Sequence, residues 1–447
     1  MRTFFRGAAT LVGAVCLAAT SAFAQTTDGV VPYRPIFGGA GGTAVDPNRR
    51  QDLAISVDFG ESYDDNLLAD FGGLNPSLVQ KGGYYSAMTP RVDFESRGER
   101  LQVAVNAGSY VRAYQDVGKV ILTNSYAGAG LIGRVTPRTS VYINSGVTYA
   151  PAYIYELFPQ APPALGAAVT PPGDYYGASV QRSFTYDSSA RISHQFSPRA
   201  VFSVISGYRY TQYVERLPNY PDRRSYDIGG EYSYSLDRNV KLRFGYTYRD
   251  LYYSSFQQPT EHNVVAGIEY NRPLSKTRRT LVGFNVGPTM VTGPLAAREA
   301  ASNQYRLVGD AFLDHQIGRT WHTRTAYHRG LGYIETVSEP VYLDSASIQA
   351  SGFVSRRIDL LFYAGYATGD VASRGQPSQL RSYNGDTRLR FGLTREVAAY
   401  VEALYYQYRF APDLVLAPGV PHELKRSGFR AGLTLWLPMR SNESAAR

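Results

Sequence analysis

The side chains that could carry chemistry are few: six histidines, one cysteine and one acidic string. His322 and His328 share a parity in an alternating segment, yet six extended residues hold them ~20 Å apart, too far to ligate one metal. Ser193 and His194 are adjacent, so in extended chain they point to opposite faces and cannot pair as nucleophile and base. His194, His262, His315 and His422 belong to no His-Glu-x-x-His motif, and no Gly-x-Ser-x-Gly elbow or Walker loop occurs. Gly128-x-Gly130-x-x-Gly133 matches a dinucleotide fingerprint as a string, but Thr136-Pro137 follows it, where no helix can start. Glu61-Ser62-Tyr63-Asp64-Asp65-Asn66 is the distinctive string. Asp64, Asp65 and Asn66 offer hard oxygens that suit Ca²⁺, but the preferred reading is an Asx-rich loop start, with no metal. No catalytic residue and no cofactor is expected.

The elements that must position these residues follow from composition and period. The chain holds 44% hydrophobic and 19% charged residues, with 37 Tyr and 43 Gly against 4 Met, 2 Trp and 1 Cys. The aromatic load argues against disorder. After the first two dozen residues no apolar run approaches the ~18 that a membrane helix needs. Residues 1–24 read as a signal peptide: Arg2 and Arg6, an apolar stretch from Ala8 to Ala19, then Ala22-Phe23-Ala24. Cys16 lies inside it, so the mature chain would have no thiol chemistry and no disulfide. Removing the two arginines lowers the formal net charge from +9 to +7, and no basic block suggests nucleic acid. Residues 25–51 form a Pro/Gly-rich leader without periodicity, expected to lie in the periplasm.

From Leu53 onward the sequence alternates with period 2. In Val240-Lys241-Leu242-Arg243-Phe244-Gly245-Tyr246-Thr247-Tyr248 the even positions are apolar and the odd ones charged, tiny or hydroxylated. A strand gathers each set on one face, whereas a helix would scatter both. About 18 such segments occur, each exceeding the ~9–11 residues of a tilted membrane crossing. Tight turns such as Thr136-Pro137-Arg138-Thr139, Ser197-Pro198-Arg199, Asp237-Arg238-Asn239, Gly318-Arg319-Thr320, Arg356-Arg357 and Arg395-Glu396 alternate with longer connections. The longer ones include Glu61–Gly83, the proline-bearing Glu156–Ser179 and Asp413–Lys425. The expectation is an all-β, closed antiparallel transmembrane barrel over residues 52–439, followed by a polar tail, 440–447. Unpaired backbone groups cannot stay in hydrocarbon, so the sheet must close. Both termini then face the periplasm.

Parity assigns the inner face. Arg112, Arg134, Arg191, Arg209, Asp227 and Glu231 fall on it, as do Lys241, Arg243, Arg249 and Arg324. Arg388, Arg390, Glu402 and Arg430 complete the candidates. Facing lipid at mid-depth each Arg or Lys would cost ~2–4 kcal/mol, which forces the assignment. Either a structural charge network or a water-filled conduit with modest anion preference follows, the latter from the basic rungs Arg388/Arg390 and Lys241/Arg243/Arg249. Tyr84, Tyr85, Tyr208, Tyr246, Tyr252, Tyr327, Tyr405 and Tyr408 are expected in interfacial girdles, and Tyr110, Tyr114, Tyr126 and Tyr142 inside. Trp436 is the aromatic expected to serve assembly.

The string Glu61, Tyr63, Asp64, Asp65, Asn66, after a short opening strand, resembles a family of outer-membrane β-barrel porins. Many of that family are encoded among bacterial exopolysaccharide synthesis genes. The resemblance implies passage of a hydrophilic solute, with exopolysaccharide export as the associated process. It also implies outer-membrane lipid, the assembly machinery and polysaccharide-export components as partners. The rival expectation is a plugged barrel that serves as a structural or interaction surface.

Overall fold

In a computed structural model, 18 strands are present among the described residues, which are 49–67, 82–115, 121–153, 177–214, 222–253, 259–275, 278–292, 303–318, 320–332, 341–371, 380–412, 414 and 421–443. The signal peptide, most of the leader, the prolines of the 156–179 connection and the last tail residues lie outside these. The first nine strands are β1 (Arg49–Asp64), β2 (Gly83–Arg97), β3 (Leu101–Tyr114), β4 (Ile121–Thr136), β5 (Thr139–Tyr153), β6 (Gly177–Gln195), β7 (Ala200–Tyr213), β8 (Arg223–Ser235) and β9 (Val240–Tyr253). They continue as β10 (Thr260–Ser275), β11 (Arg278–Thr292), β12 (Gln304–Ile317), β13 (Trp321–Gly332), β14 (Val341–Ser355), β15 (Ile358–Val371), β16 (Leu380–Gly392), β17 (Val397–Phe410) and β18 (Glu423–Glu443). Each strand pairs antiparallel with its neighbours in sequence, and β1 pairs with β18, so the sheet closes without an edge.

The turns form where short polar side chains can replace the backbone ladder. Asp237 Oδ1 accepts from the backbone N–H of Asn239 (2.6 Å) and Val240 (2.8 Å). Ser197 does the same for Arg199 and Ala200, and Thr394 for Glu396 and Val397. Gly318 opens its turn at φ 67°, a left-handed conformation that a Cβ would strain. These tight turns define one rim of the barrel. The longer connections define the other.

Two boundaries differ from expectation. β1 begins at Arg49, inside the expected leader, and β18 runs to Glu443, inside the expected tail. The two extensions pair with each other, Arg49 opposite Glu443 and Gln51 opposite Asn442, which satisfies backbone groups that neither would satisfy alone. The acidic string also starts within β1 instead of after it, since Glu61–Asp64 continue that strand's pairing to β2 and β18.

The outer face is apolar: Phe59, Val105, Ile143, Phe244, Phe284 and Leu433 are each 41–51% exposed. Such a continuous apolar exterior on a closed sheet suits lipid. Tyr84, Tyr208, Tyr246, Tyr252, Tyr327 and Tyr405 face outward as expected. Tyr85 and Tyr408 do not; they are 1% and 0% exposed on the inner face. Strict alternation explains both, because Tyr84 and Tyr85 cannot share a face and Tyr408 has the parity of Glu402. Tyr110, Tyr114 and Tyr142 are buried inside. Tyr126 shares that face, and its ring takes the space opposite Gly108, where a Cβ would lie 2.6–2.7 Å from the ring and its hydroxyl. Trp436 also points inward, packed with Ala54, Ala398 and Phe353. It shares the parity of Arg430 and Thr434, and the exposed outward residues near the strand end are Leu437 and Met439.

Candidate functional site

The inner face is a set of ion pairs built across the ladder. On β6 to β10, Glu231 lies 2.8 Å from Arg243 and 3.7 Å from Arg191. Glu269 receives Arg243 (3.7 Å) and Lys241 (3.8 Å). Arg249 meets Glu261 at 3.6 Å, the two side chains 1% and 0% exposed, and Thr289 donates to the same carboxylate at 3.0 Å. Asp187 stands directly opposite Arg209 in the ladder, and Asp227 opposite Arg249. On β12 and β13, both oxygens of Asp314 accept from Arg324 Nη1 (2.8 and 3.0 Å), and His328 Nδ1 contacts Asp310 at 2.5 Å. His322 and His328 thus engage separate carboxylates, Asp314 and Asp310.

A second wall runs from β16 through the seam to β3. Arg388 pairs with Asp58 (3.3 Å) and lies over the Tyr400 ring, 4.2 Å from its centroid. Arg390 pairs with Asp359 at 2.5 Å. Arg430 donates to Ser62 (2.9 Å), Glu402 (3.1 Å), Tyr85 (3.2 Å) and Tyr110 (2.5 Å), so one guanidinium ties β18 to β17, β1, β2 and β3. Arg112 sits 4.7 Å from the Tyr110 ring centroid and donates to the Tyr114 hydroxyl at 3.4 Å. Arg134 has the inward parity but is exposed at the short-turn rim, outside these clusters.

The expected basic rungs are therefore compensated. Arg388, Arg390, Lys241, Arg243 and Arg249 each face a carboxylate. Sequence reasoning overlooked Asp58, Glu261 and Asp359, whose parity marks them as inward but whose partners only the register brings near.

The acidic string divides between the two faces. Glu61 accepts from Ser86 Oγ (2.7 Å) and Tyr63 packs on Tyr84 (5.2 Å) on the outside. Inside, Asp64 pairs with Arg426, both side chains fully buried, and its other oxygen accepts from Asn66 N–H at 2.8 Å. Asp65 exchanges bonds with the Ser427 backbone, and Asn66 Nδ2 donates to Lys425 carbonyl. Both Asp64 carboxylate oxygens and Asp65 Oδ1 thus accept from arginine or backbone amide hydrogens. The string clasps β1 to β18 where the barrel closes.

Inward side chains are most enclosed toward the long-connection rim. There Leu67 is buried among Tyr85, Ala87, Tyr110 and Tyr114, and Leu251, Val291 and Leu331 form a second apolar cluster. Lower on β2 the side chains of Arg91 and Asp93 are 34% and 30% exposed.

The fold and polar interior define a porin-like barrel. No protein-family model and no curated relative matches the chain. Among solved structures it is similar to Pseudomonas aeruginosa OpdL, at 10% identity over 87% of this chain and 99% of that one, TM-score 0.43. A BenF-like porin from Pseudomonas fluorescens Pf-5 gives 9% identity, the coverages 87% and 99%, and TM-score 0.46. Pseudomonas aeruginosa OccK2 (OpdF), solved in complex with glucuronate, gives 11% identity, the coverages 87% and 98%, and TM-score 0.44.

Proposed function

We propose that the chain is an outer-membrane barrel that passes small hydrophilic solutes, with its long connections facing outward and its termini in the periplasm. One observation carries the reading: a closed sheet with a lipid-suited exterior encloses an interior of hydrogen-bonding, ion-paired side chains. Barrels of 16–18 strands are wide enough for an aqueous channel. Paired guanidinium and carboxylate groups can exchange hydrogen bonds with a passing solute while presenting little net field. The export signal at residues 1–24, membrane lipid and the assembly machinery belong to this reading. A carbohydrate cargo and polysaccharide-export components rest on the Glu61–Asn66 resemblance alone. The test is single-channel recording in planar bilayers, with liposome swelling in glucose, arabinose and maltodextrins. Discrete conductance steps and swelling are expected. A second reading, a barrel closed near the long-connection rim, is favoured by Leu67 and by the Leu251, Val291 and Leu331 cluster. A closed trace at all voltages, with no swelling, would establish that reading and sink the pore.

A further inference from the structure

The outer face carries a cationic cluster that the lumen does not use. Arg381 on β16, Arg409 on β17 and Lys425 on β18 are exposed, share the outward parity, and lie within three residues of their strands' ends at the long-connection rim. Arg381 and Arg409 are directly opposite in the ladder, and Lys425 faces Gln407, two residues along β17 from Arg409. Directly opposite side chains start ~4.5–5.5 Å apart at Cβ, and like charges there repel unless an anion joins them. Arg409 has Glu423 at 3.8 Å, with the two side chains 71% and 52% exposed, a contact that solvent screens. Among the described residues no carboxylate pairs with Arg381; it stands opposite Thr368, and Asp370 lies two residues farther along β15.

Depth on the barrel identifies what could supply the anion. Tyr383 lies two residues below Arg381 and Tyr405 four below Arg409, both outward, at 42% and 37% exposure. Tyr383 packs on Tyr366 at 5.0 Å, and Tyr405 donates to Gln407 at 2.7 Å. Outward tyrosines mark the interface between hydrocarbon and headgroups. Two residues of strand, rising ~3.4 Å each and tilted ~40°, add about 5 Å, which places the guanidinium groups at the phosphate layer.

We propose that Arg381, Arg409 and Lys425 form a binding site for the phosphoryl headgroup of an anionic membrane lipid, with Tyr383 and Tyr405 against its glycerol or sugar and upper acyl region. Two facing guanidinium forks suit the oxygens of one phosphate, and the lysine adds a point charge beside them. The inference rests on the barrel lying in a membrane, as proposed above, and is independent of whether its lumen conducts.

The test uses the full barrel in neutral detergent, titrated with dioleoyl phosphatidylglycerol or dioleoyl phosphatidylcholine and read by native mass spectrometry. One phosphatidylglycerol per barrel is expected to bind in preference to phosphatidylcholine. The triple variant Arg381→Gln, Arg409→Gln, Lys425→Gln should bind it roughly tenfold to a hundredfold more weakly, given ~1 kcal/mol per surface cation. A control with the same charge change at the opposite rim, Arg138→Gln, Arg199→Gln, Arg238→Gln, should bind as the parent does. Heat-modifiable gel migration verifies that both triples are folded; if the first is not, Arg381→Gln alone replaces it, with a smaller loss expected. Undiminished binding by the folded rim variant overturns the site, as does equal loss in the control. Displacement by millimolar inorganic phosphate would show an aqueous anion site and overturn the lipid assignment. Failure of conductance, with lipid binding intact, would overturn the pore and leave this site standing.

Discussion

The pair Asp64–Arg426 is the sharpest point at which to break this barrel. Both side chains are fully buried at the seam between the first and last strands, and the Asp64 carboxylate also accepts from Asn66 N–H. Asp64→Asn keeps the shape and the acceptor for Asn66 but leaves the Arg426 charge without its counterion. Removing one member of a buried pair costs ~3–5 kcal/mol, because the remaining charge stays desolvated. Arg426→Gln should cost a similar amount from the other side. The double variant removes both charges, so its loss should fall short of the sum by ~1–3 kcal/mol. Urea unfolding in detergent micelles reads this directly. The chain has two tryptophans, Trp321 and Trp436, and Trp436 lies on β18 toward the opposite end of the same seam. Its emission should report the seam opening. Strictly additive losses, or single-variant losses below ~1 kcal/mol, the range of an exposed pair, would refute the clasp.

Freeing the lumen arginines tests charge compensation. The parent should be nearly unselective under a KCl gradient, whereas Asp58→Asn with Asp359→Asn should shift the reversal potential toward anions. That shift should fade as the Debye length falls from ~10 Å at 0.1 M to ~3 Å at 1 M salt; an unshifted variant would show that the arginines do not sense the lumen. Trp436→Ala should lose ~3–5 kcal/mol in urea unfolding followed by circular dichroism, because it empties a packed inner site. Leu437→Ala, on the 41% exposed outer face, should lose much less, and equal losses would contradict the inward placement. At Gly287 an added Cβ would collide with the Val264 carbonyl, while at Gly245 its nearest neighbour is a Val265 methyl at 3.2 Å. Gly287→Ala should therefore reduce the heat-modifiable folded band and Gly245→Ala should spare it; the reverse order would exclude backbone crowding as the cause.

The strands were legible because period 2 is a local signal. Val240–Tyr248 announces its two faces without reference to any other segment, and Asp237, Ser197 and Thr394 mark turns through bonds spanning two or three residues. Closure was legible too, since a sheet in hydrocarbon has no other solution. Misassignments arose where parity was set aside for analogy. Tyr85 and Tyr408 were grouped with interfacial aromatics, although each shares its parity with an inward charge of its own strand. The set Asp227 and Glu231 facing Lys241, Arg243 and Arg249 from the preceding strand was legible, but ion-pair partners far apart in the sequence were not. Asp64 and Arg426 are separated by 362 positions, and only the register of the closing seam brings them together.

That dependence on register has a consequence for function. Apart from Arg91 and Arg97, which pair within β2, an inward cation finds its carboxylate on a neighbouring strand or two or three strands away, as Arg243 does with Glu231 and Arg388 with Asp58. A slip of one residue would turn each pairing charge to the lipid face, at ~2–4 kcal/mol for every Arg or Lys at mid-depth. The charges that line the interior are thus the same ones that fix its register. Arg430 makes the point most directly, since its bonds to Ser62, Glu402, Tyr85 and Tyr110 span five consecutive strands around the seam. A lumen built this way cannot be given a strong single-sign field without weakening its own closure. Its discrimination between solutes should then rest on width and hydrogen-bonding geometry.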